Sequence, residues 1–426
     1  MINNKLKVLF VSRRYYPDVI GGGEISAHYI AKSLIDNNVD VRVVTFVTDK
    51  TRKDEMIDKV KITRLPIKFI KLFSRFSNME FMYYEMYSKT KKIVEEFKPD
   101  IIHSLNGESL PSVTFLSKKY NIPFVVTING PLLLCFTGEG VDHLGKNCIG
   151  CRGIQRFNEV MLRWGRKGFL SKINAFFYWI YSYPHMALFD YCLKKSSALL
   201  PVSNWFKDQL LRLNFSKNNV FVVHNPIEIR KINNTDLKAK LGISQNKTVL
   251  MYVGRLSESK GVQNIMQAMV DLPETVLVII GRGSYEFELR RLSNNLDIKD
   301  RVYFIGFLQN KNLGKYYSIA DVIIMSGYFL EALGRTLLEA CSYGVPVIGT
   351  NIGGTPDIIE HGKNGYLLYN KDIKELRACI KNIISNNDLA KKMGNYGILK
   401  MKKEFSSSCV SNKLIEIYKN ILNKTK

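Results

Sequence analysis

Acidic side chains are scarce in this sequence: 38 Asp and Glu stand against 62 Lys and Arg, for a formal net charge of +24. The imbalance points to phosphate-bearing substrates, an anionic membrane surface or nucleic acid as partners. Part of it is compositional, because Lys, Asn and Ile are all abundant. Long apolar runs are missing as well. No stretch reaches the roughly 20 consecutive apolar residues of a membrane span, and the most apolar candidate, from Ile173 to Leu188, is cut by Asn174, Ser182, Pro184 and His185. The opening MINNKLKVLFVSRRYYPD meets Arg13 and Arg14 too early for a signal peptide and reads as a first strand. Seven cysteines without a secretory signal argue against a disulfide scaffold, so the expected location is the cytoplasm.

What is present is a globular composition, and 426 residues are too many for one comfortable core, so two domains are expected. Short apolar runs alternate with amphipathic stretches. Lys7–Ser12, Val39–Val47, Pro99–Leu105, Pro123–Ile128 and Ala198–Ser203 read as strands in the first half. Thr248–Val253, Thr275–Ile280, Arg301–Ile305, Asp321–Met325 and Val345–Gly349 repeat the scheme in the second. Near-continuous apolar strands separated by helices imply parallel sheets covered on both faces, and hence an α/β chain of two Rossmann-like domains. The boundary is expected between Asn225 and Asn246, giving domains at 1–225 and 240–407 and a final amphipathic helix at 408–424.

Several strand-to-helix loops carry chemistry. Gly21-Gly22-Gly23-Glu24 follows the first strand and opens a helix, where glycine lets backbone amides approach an anion. A plain tight turn is the alternative. Gly254-Arg255-Leu256 and Lys260-Gly261 set two cations on one loop, which suits a diphosphate leaving group; a solvated loop with ordinary basic residues is the alternative. Gly281-Arg282-Gly283 lacks the third glycine of a dinucleotide fingerprint, because position 286 is Glu286; this weakens an NAD reading. The stretch from Met325 to Ile359 packs a strand, Glu331, Leu333, Gly334, a helix bearing Glu339, a second strand and the turn Gly353-Gly354-Thr355-Pro356 into one unit. Glu339 stands among apolar residues and needs a specific partner.

That string resembles, in register, the glutamate-pair signature of retaining glycosyltransferases of GT-B architecture, family 4 (group 1). The resemblance implies two Rossmann-like domains facing each other across a cleft, with the last helix returning to the first domain. It implies transfer of a hexosyl-type sugar from a UDP- or GDP-linked donor to an acceptor hydroxyl, with no cofactor and no metal. Arg255 and Lys260 would stabilise the leaving diphosphate, and Glu331 would meet the sugar and the cationic transition state. Glu339 would bind the ribose, and Gly22, Gly23, Gly254, Gly281, Gly283, Leu333, Gly334, Gly353, Gly354 and Thr355 would complete the donor site. Asp357 stands where relatives often have glutamate. Asn129 stands where many relatives have a His-Asp pair; His103 is then an acceptor-side candidate beside Asn129. A nucleotide-sugar hydrolase or epimerase and a non-catalytic nucleic-acid binder are the rival readings; the phosphate clamp with its paired glutamates argues against nucleic acid.

Two features stand outside this signature. Cys135, His143, Cys148 and Cys151 are ligand types that zinc accepts, although one C-x2-C without a second pair is a weak signal. Between Arg152 and Trp179, six basic residues interleave with Trp and Phe around a single acid, Glu159. That mixture suits the anionic cytoplasmic face of a membrane. A solvated helix packed on the first domain is the alternative. The resemblance implies an acceptor at the membrane that is lipid-linked or a polysaccharide of cell-surface glycan synthesis.

Overall fold

β-branched residues fill the apolar runs, and their stiff side chains favour strands there. The computed structural model describes residues 5–19, 21–47, 52–67, 75–136, 149–150, 153–164, 168–229, 236–369 and 372–425. It divides into one unit of Met1–Pro226 with Ser407–Lys426, and a second of Ile227–Ser406.

The first unit holds β1 (Lys7–Val11), β2 (Asp40–Val47), β3 (Lys53–Ile57), β4 (Val60–Pro66), β5 (Ile101–Ser104), β6 (Phe124–Ile128) and β7 (Ala198–Pro201). Their order in the sheet is β3-β4-β2-β1-β5-β6-β7. All neighbours are parallel except β3 and β4. The helices α1 (Gly22–Asp36), α2 (Arg75–Phe97), α3 (Leu110–Tyr120), α4 (Gly153–Trp164) and α5 (Phe169–Lys195) belong to this unit. Asn38 ends α1 in the left-handed region at φ 63°, a conformation asparagine tolerates. The helix Ser407–Thr425 inserts Val410, Leu414, Ile417 and Tyr418 into the same core as Val8, Phe10, Ile30 and Leu34. Ser33 and Ser411 join through their hydroxyls at 2.8 Å.

The second unit holds β8 (Thr248–Val253), β9 (Thr275–Ile280), β10 (Val302–Gly306), β11 (Val322–Met325), β12 (Val347–Thr350) and β13 (Gly365–Leu368), all parallel in the order β10-β9-β8-β11-β12-β13. Every residue of β9 is buried, as a strand covered on both faces requires. Strands are added to opposite sides of β1 and of β8, so the sheets switch sides between β1 and β5 and between β8 and β11. Ligands of doubly wound sheets bind beyond the strand C-ends at such a reversal.

Candidate functional site

In the second unit, the loops after β8 and β11 flank the reversal, and both carry charge. Their backbones are locked together: Tyr328 N–H donates to Ser259 O at 2.9 Å, and Ser326 Oγ donates to Gly261 O at 2.9 Å. This brings the Lys260 ammonium onto Glu331, to which Nζ donates at Oε1. The same ammonium lies 3.8 Å from the Phe329 ring centroid. The two side chains are only 12% and 22% exposed, so the pair is partly shielded from water. Arg255 is exposed, and no carboxylate pairs with it among the described residues.

The glycines of this region serve backbone approach. A Cβ on Gly281 would stand 1.8 Å from Gly254 O, and Gly281 has φ +142°. Leu256 N–H donates to Arg282 O at 3.0 Å, so the Gly281–Gly283 loop braces the Gly254–Lys260 loop. Gly353 has φ +59° and its Cβ would meet Glu331 O at 2.2 Å, while Gly354 N–H donates to that carbonyl at 2.9 Å. The Gly-Gly turn thus positions the backbone of Glu331. Leu333 is buried, Gly334 caps the helix Arg335–Ser342, and buried Thr355 opens the short helix Thr355–Ile358.

Glu339 lies on the helix Arg335–Ser342 and is 5% exposed. Arg335 Nε donates to its Oε1 at 3.0 Å, and Tyr317 Oη donates to its Oε2 at 2.8 Å. Burial, with the Glu339 charge beside it, pushes the Tyr317 hydroxyl far above its ordinary pKa, so it stays protonated and a donor. Tyr343 stacks on Tyr317 at 5.2 Å. Each carboxylate oxygen keeps a second acceptor position. Sequence reasoning did not single out Tyr317, Arg335 or Phe329. The i,i+4 spacing of Arg335 and Glu339 was a usable signal; Tyr317 carries none.

In the first unit, Gly22 and Gly23 open α1 beyond β1, and Asn129 Nδ2 lies 3.7 Å from where a Cβ on Gly23 would be. Asn129 Nδ2 donates to Leu105 O at 3.2 Å, while Oδ1 has no partner among the described residues. The structure thus brings Gly23 and Asn129 together at the β1–β5 reversal. It corrects the expectation for His103. That ring is 1% exposed, with Nδ1 against Tyr418 Oη at 2.7 Å and Nε2 against Thr127 Oγ1 at 2.6 Å. Burial lowers its pKa from 6.5 to about 3. His103 ties the final helix to the sheet, and neither nitrogen is left for an acceptor.

Of the cysteine cluster, Cys135 is buried, while His143, Cys148 and Cys151 lie outside the described residues. In the basic stretch, Arg152, Arg166 and Lys167 and the Arg163 side chain lie outside them too. Arg156 turns inward, 8% exposed, with its guanidinium 4.9 Å from the Tyr183 ring centroid, and Glu159 is buried as well. Lys172 is exposed. On α5, Ile173, Phe176, Phe177 and Ile180 follow helical spacing and are all exposed, whereas Trp179 packs against Phe157 at 5.2 Å. Among the described residues, no helix is long and apolar enough to cross a membrane.

Two family models match the chain: Glycosyltransferase Family 4 over residues 20–231 and Glycosyl transferases group 1 over residues 233–400. Spore coat protein SA of Bacillus subtilis is 30% identical over 194 residues, which is 43% of this chain and 51% of that protein. N-acetyl-alpha-D-glucosaminyl L-malate synthase of Bacillus anthracis is 29% identical over 250 residues, 56% of this chain and 64% of that protein. The chain thus matches about half to two thirds of the length of these relatives. The crystal structure of Anabaena Alr3699/HepE in complex with UDP has the same fold, with a TM-score of 0.72 at 17% identity, covering 97% of this chain and all of that one.

Proposed function

Because the chain belongs to glycosyltransferase family 4 (group 1), we propose that it transfers a hexosyl-type sugar from a UDP- or GDP-linked donor to an acceptor hydroxyl, retaining the anomeric configuration. The observation that carries this reading is the Lys260–Glu331 pair at the β8–β11 reversal, with Arg255 on the same loop as Lys260. In this arrangement the ammonium and carboxylate neutralise each other. A bound diphosphate draws the ammonium toward itself and frees the carboxylate for the sugar. As the glycosidic bond breaks, negative charge grows on the diphosphate beside Lys260 and Arg255, and positive charge on the sugar beside Glu331. Fixed charges in a partly dry site stabilise both, and the departing phosphate oxygen takes the proton of the acceptor hydroxyl. Glu339 retains acceptor capacity for a ribose hydroxyl.

The acceptor in this reading is lipid-linked or a polysaccharide of the cell surface. The chain works peripherally on the anionic cytoplasmic face of a membrane. The exposed row Ile173, Phe176, Phe177 and Ile180 supports that placement, since such a row on a water-facing helix costs hydration. Screening UDP- and GDP-sugars for thermal stabilisation of the protein, followed by product analysis, tests the proposal. A donor that stabilises the fold and yields an α-linked glycoside from an α-linked donor supports it. Free sugar or an isomerised donor as the only product would make the chain a hydrolase or epimerase.

A further inference from the structure

A second concavity lies in the first unit, among α2, α3 and α5. It encloses about 620 Å³ and is walled by Tyr84, Tyr87, Phe115 and Leu188, with Pro111 at one end and Lys118 and Lys119 at the other. That volume is in the range of small-ligand sites. Tyr84 is 65% exposed and Phe115 44% exposed, large values for aromatic rings at the mouth of a hole. Tyr87 and Phe115 meet edge to face at 6.4 Å.

Two of the three charged side chains that line the hole are basic. Lys118 and Lys119 are exposed and neither has a carboxylate partner among the described residues. Lys91 lies outside the lining, its Nζ 5.5 Å from the centroid of the lining residue Tyr87, and it too has no carboxylate partner among the described residues. The acid on the wall, Glu80, accepts a hydrogen bond from Tyr181 Oη and sits 4.0 Å from His185 Nδ1. Lys119 Nζ lies 5.1 Å from the Tyr120 ring centroid, so its ammonium meets a ring but no carboxylate. An apolar hole with ammonium groups free of carboxylates at one end fits a molecule with a hydrocarbon tail and a phosphate head.

The topology decides which molecule. Helix α3 begins just beyond β5, at the sheet reversal, and runs away from it. Lys119 is eight positions beyond Pro111, about 12 Å along the helix, and so far from the end where Gly23 and Asn129 meet. A lipid-linked acceptor would need its phosphate next to its sugar, at the reversal. A bilayer lipid needs only a head at the lysines and a chain lying toward Pro111. We propose that this concavity binds one acyl chain of an anionic phospholipid, its phosphate held by Lys118, Lys119 and Lys91. The site deepens the membrane reading above and rests on it.

The test uses soluble probes, so that it does not depend on vesicle attachment. Binding of decyl phosphate below its micellar concentration is measured by titration calorimetry on the full chain, beside decyl maltoside, inorganic phosphate and farnesyl phosphate. Decyl phosphate should bind, inorganic phosphate should not, and decyl maltoside should bind about tenfold more weakly. Tyr84→Glu and Phe115→Glu change exposed rings and should each weaken decyl phosphate about tenfold or more. Lys118→Ser with Lys119→Ser should weaken decyl phosphate and leave decyl maltoside alone. Equal binding by wild type and all variants would overturn the site, and so would displacement of decyl phosphate by maltoheptaose. Tighter binding of farnesyl than of decyl phosphate would reassign the pocket to an isoprenoid carrier and overturn the phospholipid. Thermal stabilisation by the donor, measured on the same variants, should be unchanged; its absence in the wild type would instead count against the glycosyltransferase reading.

Discussion

Lys260 and Glu331 are 71 positions apart in the sequence, yet the ammonium of one donates to the carboxylate of the other across two adjoining loops. Each residue compensates the other's charge, so removing one leaves its partner partly buried and uncompensated.

Glu331→Ala should therefore lower turnover by about a hundredfold or more, about 2.7 kcal/mol in barrier, with the fold intact. Lys260→Ala and Arg255→Ala should weaken donor binding and slow transfer. With both cations in place, chelators should leave the rate unchanged. Steady-state kinetics on the purified variants decides: near-normal turnover of Glu331→Ala removes its role, and strict dependence on magnesium or manganese contradicts the clamp.

Tyr317→Phe deletes one hydroxyl and leaves Glu339 Oε2 buried without its donor. A hydrogen bond to a buried charge of this kind is worth about 1.5–3 kcal/mol, so the melting temperature should fall. Donor KM should rise with little change in kcat, since Glu339 is assigned to the ribose and not to the reacting carbon. Thermal melts and donor titrations would expose the error if both stayed at wild-type values.

His103 predicts a pH effect on stability. Its folded pKa, about 3, lies below the ordinary 6.5, so the unfolded chain takes up a proton in this interval that the folded one refuses. Stability from this residue is complete above the unfolded value and is lost as pH falls toward the folded one, at up to about 1.4 kcal/mol per pH unit. Urea unfolding of wild type and His103→Gln between pH 7 and pH 4 should show a shallower slope in the variant. Parallel slopes would mean that the ring titrates normally.

Attachment to vesicles should need both charge and the apolar row on α5. Wild type should sediment with anionic vesicles and not with neutral ones, and rising salt should weaken the attachment as the screening length shortens. Phe176→Asp with Phe177→Asp should abolish it. Equal binding to both lipids, or none to either, retires the membrane reading.

How much of this was readable in advance depends on how local each signal was. Near-continuous apolar strands such as Thr248–Val253 announce themselves, but β3 and β4 do not: KDEMI and VKITRLP carry charges along their length, as edge and near-edge strands do. β13 is four residues long and begins at a glycine. The cations of the β8 loop and the two glutamates were legible as motifs, whereas the contact between Lys260 and Glu331 depends on two loops meeting in space. His103 misled because a histidine near a strand end looks alike in sequence whether it faces solvent or core. Tyr418, which buries it, is 315 positions away.

The chain's path has a consequence for its synthesis. Ile227 N–H donates to Phe405 O at 2.8 Å, so the second unit begins and ends at one place and is complete once residue 406 has emerged. The first unit begins earlier but lacks Val410, Leu414, Ile417 and Tyr418 until the last helix follows. Domains usually fold in the order they leave the ribosome. Here the unit started first is finished last, and through the making of the whole second unit its nascent core stands open beside Phe10 and His103. An apolar face left uncovered for that interval is the kind of surface through which partly folded chains aggregate.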